Sequence, residues 1–271
     1  MSDRIAAMVQ GLRDRGERAF VPFVVLGDPD PDQSLRLIDA LVESGADMLE
    51  LGFPFSDPPA DGPVIQAADD RALAAGMTPP LAFELLAEIQ RRHGIPVGLL
   101  IYYNLVLQYG VDAFYQRCAQ VGVDGVLVAD LPLEESAGCV AAARAHGVAP
   151  VFIGSTLSND ERLAAIARVA GGYLYAVTRV GITGSEDELD AALAAELARF
   201  RGAVPLPILA GFGISTPAQV RQVLTAGADG AITGSALVRH IADHLDDPDA
   251  MLAAVAGLAS SLKAATRSSN L

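Results

Sequence analysis

Short apolar runs rich in Val, Ile and Leu alternate along this chain with longer stretches of helical period. The runs fall at Phe20–Leu26, Met48–Leu51, Val97–Tyr102, Gly125–Val128, Pro150–Ile153, Tyr173–Val177, Ile208–Ala210 and Gly230–Thr233, and their length and β-branched content predict eight buried strands. Between them, apolar residues recur with helical spacing over Gln33–Glu43, Leu81–Arg92, Ala113–Gln120, Glu134–Ala145, Asn159–Val169, Glu188–Arg199, Pro217–Thr225 and Ala236–His244. Strand followed by helix, repeated, requires a parallel sheet with right-handed crossovers.

The junctions that lead into strands echo one another. Ser44-Gly45-Ala46-Asp47, Val121-Gly122-Val123-Asp124 and Ala226-Gly227-Ala228-Asp229 each precede an apolar run, and His93-Gly94-Ile95 and His146-Gly147-Val148 take a similar part. A glycine just past a helix relieves the left-handed cap there. Eight even units with no break for a topological switch point favour a closed α/β barrel, (β/α)8 of the TIM type, over an open doubly wound sheet. One domain spanning 1–271 is expected, with the barrel over about 18–247. An amphipathic helix in Met1–Gly16 precedes it, a helix over Asp249–Ala264 packs outside it, and Thr266–Leu271 is expected to fray.

Composition narrows the function. At 271 residues and 51% hydrophobic the chain can bury one large core, and its net charge of −14 offers no basic face to nucleic acid or to an anionic membrane. A bound phosphate is therefore expected to be held by backbone amides. Asp3, Arg4, Arg13, Asp14 and Arg15 among the apolar residues predict an amphipathic helix and not a signal peptide, and no run is long enough to span a bilayer. Cys118 and Cys139 lack metal-ligand spacing and read as buried thiols in helices, consistent with a cytoplasmic protein.

Candidate chemistry collects after the strands, where such barrels build their sites. In Met48-Leu49-Glu50-Leu51-Gly52, alternation places Glu50 on the face opposite both leucines. Burial would raise its pKa toward the range of a general acid. Asp57 and Asp61 follow in a loop stiffened by Pro54, Pro58, Pro59 and Pro63. Gly211-Phe212-Gly213-Ile214-Ser215 and Gly234-Ser235 follow the last two strands and open helices, which suits a phosphate. They also suit plain tight turns with Ser215 and Ser235 as N-caps. Phe23, Leu100, Tyr102, Leu127, Ala129, Ile153, Tyr175 and Ile232 are inward candidates near the strand ends, and most would fill a barrel in any case. Asp28, Asp30 and Asp130 read as capping or turn residues, and Glu134 and Glu135 as favouring a helix N-terminus.

What is missing also informs. The one lysine, Lys263, lies far outside the strand ends. His93 and His146 sit on the opposite side of the barrel, and His240 and His244 sit late in the last barrel helix. No Schiff-base amine and no histidine metal site is expected, so carboxylates must work on a substrate that brings its own electron sink.

From about Phe20 to Leu245 the sequence resembles the tryptophan synthase α subunit family. The residues that carry the resemblance are Phe20-Val21-Pro22-Phe23, Leu26-Gly27-Asp28-Pro29, Leu49-Glu50-Leu51-Gly52, Pro54-Phe55-Ser56-Asp57-Pro58, Ala60-Asp61-Gly62-Pro63, Gly181-Ile182-Thr183-Gly184, Gly211-Phe212-Gly213-Ile214-Ser215 and Gly234-Ser235. The resemblance implies a barrel that cleaves indole-3-glycerol phosphate to indole and glyceraldehyde 3-phosphate. It makes Glu50 the acid-base group at indole C3 and Asp61 the partner of the indole nitrogen. Phe23 and Tyr175 would border the indole, and Gly184, Gly213, Gly234 and Ser235 would hold the phosphate, with Phe212 in the same loop. Thr183 would belong to a loop that closes over substrate and bonds Asp61. The chain would need no cofactor. It would dock, as α2β2, on a β subunit that carries pyridoxal phosphate, with residues 53–61 and 179–190 coupling the two and Asp57 part of that coupling. The sequence departs from the family pattern at Phe53, Pro59 and Ala67.

A free-standing lyase of the same chemistry, a mainly allosteric partner of the β subunit, and a phosphosugar isomerase on the same scaffold are the competing readings. Intact Glu50 and Asp61 weigh against a site that has lost its chemistry.

Overall fold

A computed structural model describes residues 4–178 and 186–267. Eight strands close into a parallel barrel in the order β1 to β8: β1 Ala19–Val25, β2 Leu49–Gly52, β3 Val97–Ile101, β4 Gly125–Val128, β5 Ala149–Gly154, β6 Leu174–Val177, β7 Ile208–Gly211 and β8 Gly230–Thr233. The helices are α1 Arg4–Asp14, α2 Pro31–Glu43, α3 Pro63–Ala74, α4 Pro79–His93, α5 Tyr103–Tyr109, α6 Val111–Gln120, α7 Ala137–His146, α8 Asp160–Val169, α9 Glu186–Ala203, α10 Pro217–Thr225, α11 Ser235–Ala242 and α12 Pro248–Ala264. The (β/α)8 reading holds, with α1 before the barrel and α12 outside it against α2 and α11. Among the described residues no single helix is long and apolar enough to cross a membrane.

Three elements differ from expectation. Helix α3 begins at Pro63 with Gly62 as its N-cap; a proline that stiffens a loop also suits the first helical turn, where its missing N–H costs nothing. Helix α5 directly follows β3, so its apolar residues merge with those of the strand in sequence, and Tyr102 becomes its N-cap residue. Residue 134 lies in a short 3₁₀ turn, Leu133–Glu135, ahead of α7. The C-terminal fray was expected from residue 266, yet Thr266 is fully buried. Its carbonyl accepts from Arg18 N at 3.0 Å, and the Glu17 backbone forms an isolated antiparallel β-bridge with Arg267.

The echoed Gly-x-Asp junctions are clasps at the amino-terminal mouth. Asp47, Asp124 and Asp229 each accept a backbone N–H from the preceding strand: Phe20 N at 2.8 Å, Val97 N at 2.9 Å and Ile208 N at 2.9 Å. Each aspartate also donates its own N–H back to that strand, to Phe20 O, Val97 O and Ile208 O. The pairs β1–β2, β3–β4 and β7–β8 are thus pinned in register before the ladder begins. A cation covers each clasp: Lys263 Nζ lies 2.9 Å from Asp47, Arg4 lies 3.1 Å from Asp124, and Arg13 and Arg201 share Asp229. The only lysine of the chain is thereby committed to the mouth opposite the strand ends, as its sequence position implied.

Helix α1 plugs that mouth. Ile5 is 1% exposed, and a Cβ on Gly172 would come within 3.3 Å of its Cδ1, so a small residue makes room for the isoleucine. Ile5→Ala should lower unfolding free energy by about 2–4 kcal/mol, the cost of a buried cavity, in urea titrations. A loss well below about 1 kcal/mol would mean that α1 is a loose cover.

Candidate active site

Strand register sets the inner wall. Glu50 pairs with Phe23 on one side and Gly98 on the other, Gly52 pairs with Leu100, and Tyr175 pairs with Ile153 and Leu209. Paired positions in a parallel sheet point the same way, so all face the barrel axis while Leu49 and Leu51 face the helices. Above Glu50 opens a cavity of about 380 Å³. Its walls are Phe23, Leu100, Tyr175 and Ile232 from the strands, Ala60, Asp61, Gly62 and Ile65 from the loop after β2 and the start of α3, Phe212–Ser215 after β7, and Gly234, Ser235, Ala236 and Arg239 at the start of α11.

Glu50 is 1% exposed. Tyr173 Oη donates to its Oε1 at 2.7 Å, while Oε2 has no hydrogen-bond partner among the described residues. Burial pushes its pKa up from 4.5 to about 7, and the tyrosine bond pulls back only part of that rise. A carboxyl poised near neutrality, with one oxygen held and the other unpartnered at the floor of a cavity, can deliver and take back a proton.

Asp61 faces the same space from the side. Tyr102 Oη donates to its Oδ2 at 2.6 Å and accepts from Ala60 N at 3.2 Å. Burial raises the Asp61 pKa and the Tyr102 bond lowers it. The loop that carries it is tied throughout. Phe53 N donates to Leu100 O at 3.0 Å, Phe55 stacks on Tyr102 with centroids 5.3 Å apart, and Gln66 Nε2 donates to Asp61 O at 2.8 Å. Behind it, burial and then the charge of Asp61 push Asp69 on α3 up to about 7, opposed by the Phe55 backbone N–H. Asp57 and Pro59 are exposed, as is Ala67, and Phe53 packs into the core edge-on to Phe83.

At the far end, α10 and α11 present different termini. Thr216 caps α10 in a closed box with Gln219, and Ser215 N and Oγ both bond Gln219 Oε1. The α10 terminus is thus occupied by its own side chains. Helix α11 begins after Gly234 with no side-chain cap, leaving its first N–H groups and positive dipole end beside the cavity. Neither Ser215 nor Ser235 is an N-cap. A Cβ on Gly234 would lie 2.9 Å from Phe23 Cδ1, so glycine lets backbone and aromatic wall approach. Phe212, at φ 79° and 61% exposed, adopts a conformation that costs a non-glycine residue of order 1 kcal/mol, and holds its ring at the rim.

Not every expected residue meets the cavity. Tyr102 stands behind Asp61 and holds it. Leu127, Ala129 and Ile153 do not line the described walls, because β4 and β5 contribute none of them; Leu127, 2% exposed, packs the barrel interior. Thr183 and Gly184 lie outside the described residues. Asp30 caps α2 through Gln33 N, and Asp130 accepts Tyr103 N at the start of α5, both as expected. Asp28 does close a turn, donating its N–H to Val25 O at 3.3 Å, but it is also 1% exposed and grips Arg71 of α3 at 2.7 and 2.9 Å. Cys118 and Cys139 are buried and free in α6 and α7. His93 bonds Asp39 and His146 bonds Asp112, both away from the cavity. Sequence reasoning missed Tyr173, two residues before Tyr175 on the same inward face, and Arg239, one turn beyond Ser235.

The family described as tryptophan synthase alpha chain matches residues 9–267. The chain belongs to the tryptophan synthase α chain family. It is 52% identical to the tryptophan synthase alpha chain of Pectobacterium atrosepticum, over 98% of this chain and all of that protein. Identity to the Vibrio vulnificus protein of the same name is 49%, over 98% and 99%. The solved α subunit of Legionella pneumophila superposes over the full length of both chains with a TM-score of 0.90 at 35% identity. A chain of the tryptophan synthase complex of Pyrococcus furiosus does so with a TM-score of 0.81 at 32% identity, over 91% of this chain and 98% of that one. The family reaction is a lyase step of tryptophan biosynthesis, cleavage of indole-3-glycerol phosphate, and this chain is an enzyme of that kind.

Burial of Glu50 has a sign that stability can report. Its folded pKa, about 7, lies above the ordinary 4.5, so the folded state holds a proton that the unfolded chain has released. Wild-type stability should therefore fall, through this group, as pH rises from 4.5 to about 7. Glu50→Gln lacks that loss. Its stability relative to wild type should improve by on the order of 3 kcal/mol between pH 4.5 and pH 8 in urea titrations, and no change in the gap would contradict the burial argument.

Proposed function

We propose that Glu50 is the acid-base group and Asp61 the electrostatic partner of indole-3-glycerol phosphate cleavage in this chain. The observation that carries the assignment is the unpartnered Oε2 of a buried Glu50 at the floor of the cavity that Asp61 flanks and the uncapped start of α11 closes.

In this reading protonated Glu50 donates to indole C3 and the ring becomes an indolenine. Positive charge then develops at the ring nitrogen, and the Asp61 carboxylate stabilises it. Glu50, now a carboxylate, takes the proton of the hydroxyl on the carbon attached to C3. That hydroxyl becomes the aldehyde, the bond to C3 breaks, and its electron pair returns to the ring, restoring indole. Glu50 ends protonated again. The indolenine is the electron sink, so the step needs neither lysine nor cofactor. A pKa near 7 suits a group that must act in both directions. Phe23, Leu100, Tyr175 and Ile232 supply an apolar wall for the indole, and Gly213, Gly234 and Ser235 supply backbone for the phosphate. Thr183 and Gly184 complete the site in the family pattern.

The chain acts as the α subunit of tryptophan synthase, docked on a pyridoxal-phosphate β subunit that consumes indole. Family membership and the likeness to the Pyrococcus furiosus complex support this. Its two unpaired buried cysteines fit the cytoplasm.

Indole release by purified protein, with and without a cognate β subunit, tests the assignment. Glu50→Gln should lower turnover about 10²–10⁴-fold and Asp61→Asn about 10²-fold or more, with circular dichroism and β binding intact. Turnover near wild type in Glu50→Gln would overturn the mechanism. Activation by the β subunit is expected; a turnover indifferent to it would favour a free-standing lyase.

A further inference from the structure

Arg239 is the one cationic side chain among the described residues that line the cavity, against two carboxylates, Glu50 and Asp61. It stands on α11 four residues after Ser235, and so on the same flank of the helix. It is exposed, and its guanidinium makes no hydrogen bond or ion pair with any described residue. Arg71 holds Asp28, and Arg13 and Arg201 hold Asp229, while the guanidinium groups of Arg15, Arg168 and Arg221 are as unpaired among the described residues as that of Arg239; what sets Arg239 apart is its place in the cavity wall. An unspent guanidinium beside an uncapped helix start, in a protein of net charge −14, calls for a reason.

A substrate phosphate carries nearly two negative charges and must enter a cavity that holds two acids. The α11 terminus supplies only about half a unit of positive charge, and the expectation that backbone amides alone would hold a phosphate leaves most of that charge unanswered. We infer that Arg239 is a specificity-determining residue for the known reaction, an electrostatic anchor that draws the dianionic phosphate to the α11 end of the cavity. The inference rests on the placement of the phosphate at Gly213, Gly234 and Ser235. Arg239 acts on the charge of the remote group and not on the bond that breaks, so it tightens substrate binding and leaves the chemical step to Glu50. Because the side chain is exposed, its pull is screened by salt. A guanidinium one turn into the helix also favours a phosphorylated glycerol chain over its uncharged counterpart, for which the cavity is otherwise equally apolar.

Steady-state kinetics of Arg239→Gln and Arg239→Lys in the complex with the β subunit, at low and high salt, test this. Arg239→Gln should raise KM for indole-3-glycerol phosphate roughly fivefold to tenfold, with kcat within about twofold of wild type. Arg239→Lys should recover most of the loss, since charge is retained. The rise of KM with added salt should be shallower in Arg239→Gln than in wild type. Inorganic phosphate, used as a competitive inhibitor, separates the possible failures. Inhibition of wild type that weakens in Arg239→Gln supports the anchor. Equal inhibition of both proteins, with KM unchanged, overturns the role of Arg239 and leaves the phosphate placement standing. No competition in either protein overturns the placement as well. A fall in kcat without a rise in KM would assign Arg239 to the chemical step and also contradict the inference.

Discussion

The structure turns on one ionisable group held inside a closed sheet. A parallel barrel points half of every strand at its axis, and most inward positions must be filled with apolar side chains. Glu50 occupies one of them, and its burial is tolerable because a single phenol is aimed at it and because the group can be neutral near pH 7. Room for that phenol is made across the barrel. Gly98 pairs with Glu50, and a Cβ there would lie 3.2 Å from Tyr173 Oη and 2.9 Å from Met48 Cε. The missing side chain on β3 thus belongs to the electrostatics of β2. The same low dielectric that raises the Glu50 pKa would strengthen any interaction made with a charged reaction intermediate above it.

The two mouths of the barrel divide stability from chemistry. At the amino-terminal mouth, aspartates pair with cations and with strand backbones, α1 inserts Ile5, and the C-terminal residues close the seam at Arg18 and Glu17. Each clasp aspartate there is answered by a cation. At the carboxyl-terminal mouth charge is left over among the described residues: Glu50 Oε2 lacks a partner, Arg239 lacks an acid, and α11 lacks a side-chain cap. Unmet polar groups cost stability in isolation, and their convergence on one cavity is what distinguishes a site from a rim of ordinary loops. Asp28 and Asp69 extend this pattern outward, since both brace α3, the helix that receives the loop bearing Asp61.

Much of this was legible in the residues. The alternation around Glu50 gave its direction, since one carboxylate between two leucines has only two faces to choose from. The absence of a usable lysine narrowed the chemistry to carboxylates. The Gly-x-Asp echoes marked real features, although their glycines attracted notice when the aspartates make the clasps. Other parts could not be read. A strand pattern tells inward from outward but not how far around the circumference a wall lies, so Leu127 and Ile153 look as suitable as Leu100 until closure places β4 and β5 beside no part of the cavity. Asp28 reads only as a turn residue, which it is, because its partner, Arg71, is distant in sequence and sits on a helix hidden behind Pro63. Tyr173 was within reach: it shares a face with Tyr175 one layer deeper, where a buried carboxylate requires a donor.

The protonation state of Glu50 is the central claim, and it can be observed directly. Infrared difference spectra of protein labelled with ¹³C at glutamate side-chain carboxyls, compared with Glu50→Gln across a pH titration, isolate its carboxyl stretch. A protonated band that persists to near neutrality and gives way to carboxylate with a midpoint of about 7 is expected. A midpoint near 4.5, the ordinary value, would mean that Glu50 is ionised at rest and is not the acid that opens the reaction.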